Sequence, residues 1–366
     1  MFNNAFRNRS VFLTGHTGFK GSWLCQWLLR LGANVHGFAL DPQPHETLFD
    51  QLGLPSRIAS DSRGDVRDAS ALRDALLAAK PDYVFHLAAQ PLVRFSFEIP
   101  VDTFATNVMG TVHLLDALRQ LSGPCRTVVV TTDKCYENRE WLHAYRENDP
   151  MGGHDPYSAS KGCAELVVSS YRNSYFAGDS LIDVASARAG NVIGGGDWAS
   201  DRIIPDVFRA IFAKQPVPVR NRTATRPWQH VLEPLSGYLW LAANMDASQC
   251  QFCDAFNFGP SLTSNRTVLQ VVQEVLASTG GEWLDASDPN APHEASKLNL
   301  AIDKAFHLLS WQPTWDFKTT IQKTVQWYLG NHNGGNPADL TSSQIDEYEQ
   351  DALQSGRNWA SENSVG

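Results

Sequence analysis

Ser10-Val-Phe-Leu-Thr-Gly15-His-Thr-Gly18-Phe-Lys-Gly21-Ser22 decides the fold. An apolar, partly β-branched run ends at Thr14. Glycines follow at every third position, and a helical pattern runs from Ser22 to Leu31. Strand, glycine turn and helix in that order open a dinucleotide-binding sheet. Glycine spacings alone arise by chance; their place between strand and helix gives these weight. Glycine allows the tight turn and the close approach of backbone to a pyrophosphate. The helix N-terminus then supplies N–H donors and a favourable dipole. Gly15, Thr17, Gly18, Phe19, Lys20 and Gly21 are therefore the candidate cofactor loop.

Strand and helix patterns continue to alternate through the first half. Strands are predicted at 34–40, approaching Gly64-Asp65, at 82–87, at 126–131 and at 183–187. Helices are predicted at 69–79 and 101–121. Such alternation implies an α/β fold, a doubly wound parallel sheet of Rossmann type covered on both faces. The second half is less regular, with Gly194-Gly-Gly196 and the proline-bearing stretch 205–227. It suggests a smaller mixed α/β substrate-binding cap over the carboxyl edge of the sheet. The expected division is 1–187 for the dinucleotide-binding domain, with a return near 230–260, and 188–330 mostly for the cap. Helices are expected at 268–278 and 317–329. The tail 331–366 is polar; a short helix is expected to begin near Ser342, and the last residues to fray.

Asp41 ends the second strand. A carboxylate there can bond an adenosine ribose and repel a 2′-phosphate, favouring NAD over NADP. Lys20 argues the other way, since a cation in the loop tolerates the extra phosphate. Asp65, followed by Val66, stands where an acid meets an adenine amino group. Leu87, Ala88 and Ala89 follow the fourth strand, where small residues let a cofactor lie against the backbone.

The chemistry is carried by Thr132-Asp133-Lys134 and by Tyr157-Ser-Ala-Ser-Lys161. Tyr-x-x-x-Lys on a helix puts both side chains on one face. A cation beside a phenol favours the phenolate, a base for a sugar hydroxyl. Alcohol oxidation needs only that pair. The additional acid and amine imply a second step, such as the loss of water.

The chain has 366 residues, with 30 Lys+Arg against 39 Asp+Glu and a formal charge of −9. No basic tail suggests a nucleic-acid partner. No apolar run is long enough to span a bilayer, and the N-terminus lacks the apolar core of a signal peptide. Six cysteines are scattered, and Cys250-Gln-Phe-Cys253 is the single Cys-x-x-Cys. Without a second pair it reads as structural and not as a metal site, so no metal is expected. Reduced thiols place the chain in the cytoplasm.

The glycine loop, His86-Leu-Ala-Ala89, Asn107 and Tyr-x-x-x-Lys together resemble the extended short-chain dehydrogenase/reductases, most of which act on nucleotide sugars. Thr132-Asp-Lys-Cys-Tyr136, Gly190-Asn-Val-Ile-Gly-Gly-Gly-Asp-Trp198 and Arg226-Pro-Trp-Gln-His-Val231 narrow the resemblance to 4,6-dehydratases, and within them to those taking CDP-glucose. The resemblance covers roughly residues 8 to 330. It implies NAD as cofactor, with Asn107 in its site. It also implies a homodimer through helices near 101–121 and 159–176. The implied reaction makes a 4-keto-6-deoxy sugar, with Tyr157 as base at C4, Thr132 orienting the C4 oxygen and Lys161 binding the nicotinamide ribose. Asp133 is the acid at C6, which burial must keep protonated. Related enzymes for dTDP-glucose carry glutamate where this chain has Lys134. As a neutral amine Lys134 takes the C5 proton; as a cation it stabilises the enolate. Gln90, Asn191, Arg202 and Arg226 are the substrate candidates, Arg226 for the diphosphate. Trp198 and Trp228 either stack on the base or fill the core of the cap, and core filling is the preferred reading. A UDP-N-acetylhexosamine 4,6-dehydratase, a 4-epimerase and a catalytically silent NAD-binding regulator are the competing readings.

Overall fold

The computed structural model describes residues 1–42, 47–245, 251–287 and 297–361. Seven strands form one sheet: β1 (Ser10–Thr14), β2 (Asn34–Ala39), β3 (Ser60–Arg63), β4 (Tyr83–His86), β5 (Cys125–Val130), β6 (Ile182–Ala189) and β7 (Ala255–Phe258). Their spatial order is β7-β6-β5-β4-β1-β2-β3. Every pairing is parallel, with Val11 opposite both Val35 and Tyr83. The order reverses between β1 and β4. The crevice beyond their carboxyl ends is where ligands bind in doubly wound sheets.

The helices used below are α1 (Phe19–Arg30), α2 (Ala69–Ala79), α3 (Gly110–Leu118), α4 (Pro156–Tyr175), α5 (Leu232–Asn244), α6 (Phe317–His332) and α7 (Pro337–Gln354). Local chemistry sets their starts. Asp68 caps α2, accepting from Ser70 N and Ala71 N at 3.0 Å each. Asp155 caps α4, accepting from Ser158 N at 2.9 Å, with Pro156 in the first turn. The predicted helix 101–121 is broken. It begins as Pro100–Phe104, passes through a π-helical turn at Ala105–Met109 and resumes as α3. Such turns are frequent at functional sites, and this one holds Asn107.

The tail differs most from its sequence expectation. Residues 337–354 form α7, which starts at an Asn336 cap with Pro337 beside it. Its buried face lies on α1. Trp27 Nε1 donates to Glu349 Oε1 at 2.7 Å, Gln26 Nε2 donates to Ser342 Oγ at 2.9 Å, and Trp359 stacks on Phe2 at 5.0 Å. Low hydrophobicity hid this helix, because much of its attachment is polar.

Glu233 on α5 is fully buried beneath this tail. It accepts from Trp315 N at 2.7 Å, Thr314 N at 3.0 Å and the Tyr348 hydroxyl at 2.8 Å. Burial pushes its carboxyl up from 4.5 to about 7. Between those values the folded chain holds a proton that the unfolded chain releases. The stabilisation is full below 4.5 and is lost as pH rises through 7. Urea unfolding at pH 5 and pH 8 should therefore show a drop on the order of a few kcal/mol, and Glu233→Gln should remove that slope.

Candidate active site

Gly15 has φ +75°, and a Cβ there would lie 2.7 Å from Ala88 N. The β1 turn thus packs directly on the backbone after β4. A Cβ at Gly21 would sit 2.1 Å from Gly15 O, so the first turn of α1 closes tightly on the loop. Gly18 caps α1 without a side-chain hydrogen bond, and the first turn has no acidic residue. The helix therefore presents open N–H donors and a positive dipole end to the crevice. Both suit a dinucleotide diphosphate. Gly21→Ala is expected to destabilise the fold by about 1–3 kcal/mol and to abolish dinucleotide binding, measured by calorimetric titration.

Thr17 donates to Leu40 O at 3.2 Å, drawing the loop to the end of β2. Asp41 stands there exposed, 3.8 Å from Arg63 Nε. Ala88 N donates to Thr14 Oγ1 at 3.2 Å, and Leu87 N to Thr14 O at 3.1 Å. Asn107 ties three segments together. It accepts from Gln90 N at 2.8 Å and donates to Ser160 Oγ at 2.9 Å and to Gln90 O at 3.2 Å. The crevice wall is thereby fixed to α4.

Three of the candidates have partners within the chain. Lys20 does not face Asp41. Its amine donates to the Tyr238 hydroxyl on α5 at 3.4 Å. Burial first, then Arg202 and Lys161, bring its pKa down to about 7. It belongs to the catalytic cavity, so its argument for a 2′-phosphate falls. Asp65 is committed to Arg67, accepting from Nη2 at 2.6 Å, Nε at 2.8 Å and the backbone N at 2.9 Å. Its partner Val66 packs under α3 against Gly110. Gln90 braces its own loop: it accepts from Leu92 N at 2.6 Å and donates to Thr103 Oγ1 at 3.0 Å.

β5 ends at Val130, and Asp133–Cys135 form a 3₁₀ turn at the carboxyl edge of the sheet. Thr132 Oγ1 accepts from Lys134 N at 3.3 Å and donates to Asp133 Oδ1 at 2.9 Å. Asp133 is fully buried, and its Oδ2 has no hydrogen-bond partner. A Cβ at Gly190 would lie 2.9 Å from that oxygen. The Lys134 amine is 3.8 Å from Asp133 Oδ1, on a side chain 23% exposed.

Tyr157 and Lys161 lie one turn apart on the buried face of α4. Burial pushes the Tyr157 phenol up to about 12, and Asp133 adds to this; its hydrogen bond to Thr132 and the charge of Arg202 act against it. Arg202 is thus one cation that favours the phenolate. Lys161 donates to Val130 O at 3.3 Å, and burial lowers it to about 8.

Arg202 is aimed by Asp197, which accepts from its Nη1 at 2.8 Å. Arg226 is buried on the short strand Thr225–Pro227, which pairs antiparallel with Asn265–Thr267. Asn191 O accepts from Gln229 N at 3.3 Å, which brings the Asn191 loop beside that strand. Trp228 is buried and donates to Arg266 O at 2.9 Å, filling the core as preferred from sequence. Trp198 packs edge-on to Tyr328 at 5.0 Å. Sequence reading missed Asp197 and Tyr238. Asp197 was visible as an acid five residues before Arg202; Tyr238 had no local signal. Cys250 lies outside the described residues, so its motif is taken no further. Among the described residues, no group of acids, histidines and cysteines could hold a metal ion.

A doubly wound parallel sheet with an open glycine-loop helix and a buried Tyr–Lys pair defines a dinucleotide-dependent enzyme acting on a hydroxyl. The chain belongs to the GDP-mannose 4,6 dehydratase family, whose profile matches residues 12–324. It is 46% identical over 351 residues to CDP-glucose 4,6-dehydratase of Salmonella typhimurium, covering 94% of this chain and 97% of that protein. It is 30% identical to dTDP-glucose 4,6-dehydratase of Streptomyces antibioticus, covering 88% and 93%. The structure of DesIV, a dTDP-glucose 4,6-dehydratase from Streptomyces venezuelae with NAD and TYD bound, superposes with a TM-score of 0.74. That pair is 24% identical, over 90% of this chain and 99% of the other; this likeness shows the shared fold.

Proposed function

We propose that this chain converts CDP-glucose to CDP-4-keto-6-deoxyglucose and water, using NAD. The observation that carries the reading is the Thr132-Asp133-Lys134 corner, its Thr132 and Asp133 buried along with Tyr157 and Lys161. The 46% identity across nearly the whole of both chains supports the substrate. Bound NAD would supply a hydride acceptor for sugar C4 and a hydride donor for C6. The first turn of α1 would hold its diphosphate, Asp41 its adenosine ribose, and Lys161 its other ribose.

Tyr157 removes the C4 hydroxyl proton. The ketone at C4 acidifies the C5 proton, which Lys134 takes. Asp133 protonates the departing C6 oxygen. Its burial excludes water from that step. Lys134 then returns the proton to C5. Arg202 and Arg226 meet the diphosphate, with Asn191 beside them. The test is incubation with NAD and a panel of nucleotide-activated glucoses, read by mass spectrometry. CDP-glucose should lose one water, and unchanged mass with every donor would overturn the reading.

The chain acts as a homodimer in the cytoplasm. Val101, Phe104, Met109, Leu166 and Tyr175 are exposed apolar residues on the helices at 100–118 and on α4, which supports pairing through those faces. Among the described residues, no helix is long and apolar enough to cross a membrane.

A further inference from the structure

Arg202 meets the substrate diphosphate in the reaction proposed above, and its aim depends on Asp197. Arg202 Nη1 donates to Asp197 Oδ2 at 2.8 Å. A guanidinium presents its donors in a planar, fixed fork, so that bond sets the plane in which the other donors point. The Asp197 carboxylate is held by its own turn. Its Oδ1 accepts from Ala199 N at 3.2 Å, and the side chain is 7% exposed. Any displacement of the Asp197 backbone is therefore passed on to Arg202.

That backbone is gripped from α6. Tyr328, fully buried, donates its hydroxyl proton to Asp197 O, 131 positions earlier in the chain. Trp327 beside it closes on Gly195, where a Cβ would lie 1.9 Å from the indole Cγ. From the other side, Trp23 Nε1 on α1 donates to Gly195 O at 2.9 Å. The Tyr328 ring has supports of its own. It stacks on Phe208 at 4.1 Å and meets Trp198 edge-on at 5.0 Å. Removing the hydroxyl alone leaves those ring contacts and strips a buried carbonyl of its donor. An unmet buried acceptor is costly, so residues 195–197 should shift towards another donor. The carboxylate that aims Arg202 shifts with them.

We infer, resting on the function proposed above, that Tyr328 is a positioning residue for the nucleotide sugar. Through Asp197 it aims Arg202 at the substrate diphosphate, and it takes no part in holding the dinucleotide. α6, far along the chain from the sheet, thereby sets the geometry of the substrate site.

Steady-state kinetics with CDP-glucose, together with calorimetric titration of NAD, test this on wild type and on single and double variants. Tyr328→Phe should raise KM for CDP-glucose by about 10-fold. Its kcat should stay within about twofold of wild type, the pattern of binding lost equally from ground and transition states. Its affinity for NAD should be that of wild type. Tyr348→Phe is the control: it removes another buried tail hydroxyl, one that donates to Glu233 Oε2 at 2.8 Å, and should leave KM unchanged. Arg202→Ala should raise KM, and adding Tyr328→Phe to it should change KM by less than about twofold, because both act through one contact. Unchanged KM in Tyr328→Phe, an equal rise in Tyr348→Phe, or a full further rise on the Arg202→Ala background would overturn the assignment. So would loss of NAD binding in Tyr328→Phe, which would make that hydroxyl a support of the whole fold. Failure of wild type to dehydrate CDP-glucose would instead refute the proposed function.

Discussion

Tyr157→Phe is expected to lower turnover by roughly 10²- to 10⁴-fold while the dinucleotide still binds. The substitution removes one oxygen from a buried ring on α4 and leaves the ring in place, so the fold should persist. In the mechanism proposed above that oxygen takes the C4 proton, Asp133 serves C6 and Lys134 serves C5. Burial holds the phenol near 12, so the base also depends on Arg202 and on the Thr132 hydrogen bond to ionise. In a single turnover, absorbance of the reduced dinucleotide should stay flat, and mass spectrometry should find the sugar intact. Wild-type turnover in this variant would assign the C4 proton to another base.

Lys134→Met separates the two halves of the reaction. Hydride transfer from C4 should proceed, because Tyr157 and Lys161 are untouched. Elimination should slow by roughly 10²- to 10⁴-fold, because methionine has the length of lysine without its amine. Absorbance of the reduced dinucleotide should then rise and persist, where wild type shows only a transient. The amine is 3.8 Å from Asp133 Oδ1, which puts base and acid on the same side of the corner. Product formation at the wild-type rate would remove the amine from the mechanism.

The sheet was legible because its central strands are apolar runs closed by glycine or polar turns. Helix 69–79 matches its sequence expectation, and the Asp68 cap fixes its start. Thr132, Tyr157 and Lys161 were legible as candidates because a strand end and a Tyr-x-x-x-Lys spacing mark them locally; the packing of α4 on the turn at 133–135 is what brings them near one another. What escaped was set by distant partners. Lys20 was assigned to the adenosine end from its place in the loop; the tyrosine that draws it into the cavity is 218 positions away. Asp65 reads as a ligand-facing acid until Arg67 folds back onto it. The tail reads as polar because α7 attaches partly through side-chain hydrogen bonds, which leave no apolar periodicity in the sequence.

α1 leaves the ribosome about 300 residues before its covering partner α7. Gln26 and Trp27 meet residues 316 and 322 positions later. Until α7 emerges, the aromatic side of the cofactor-loop helix lacks that cover, a condition that favours sticking to other nascent chains. Shielding of that surface by a chaperone should therefore raise the soluble yield, and slowing translation between α1 and α7 should lower it.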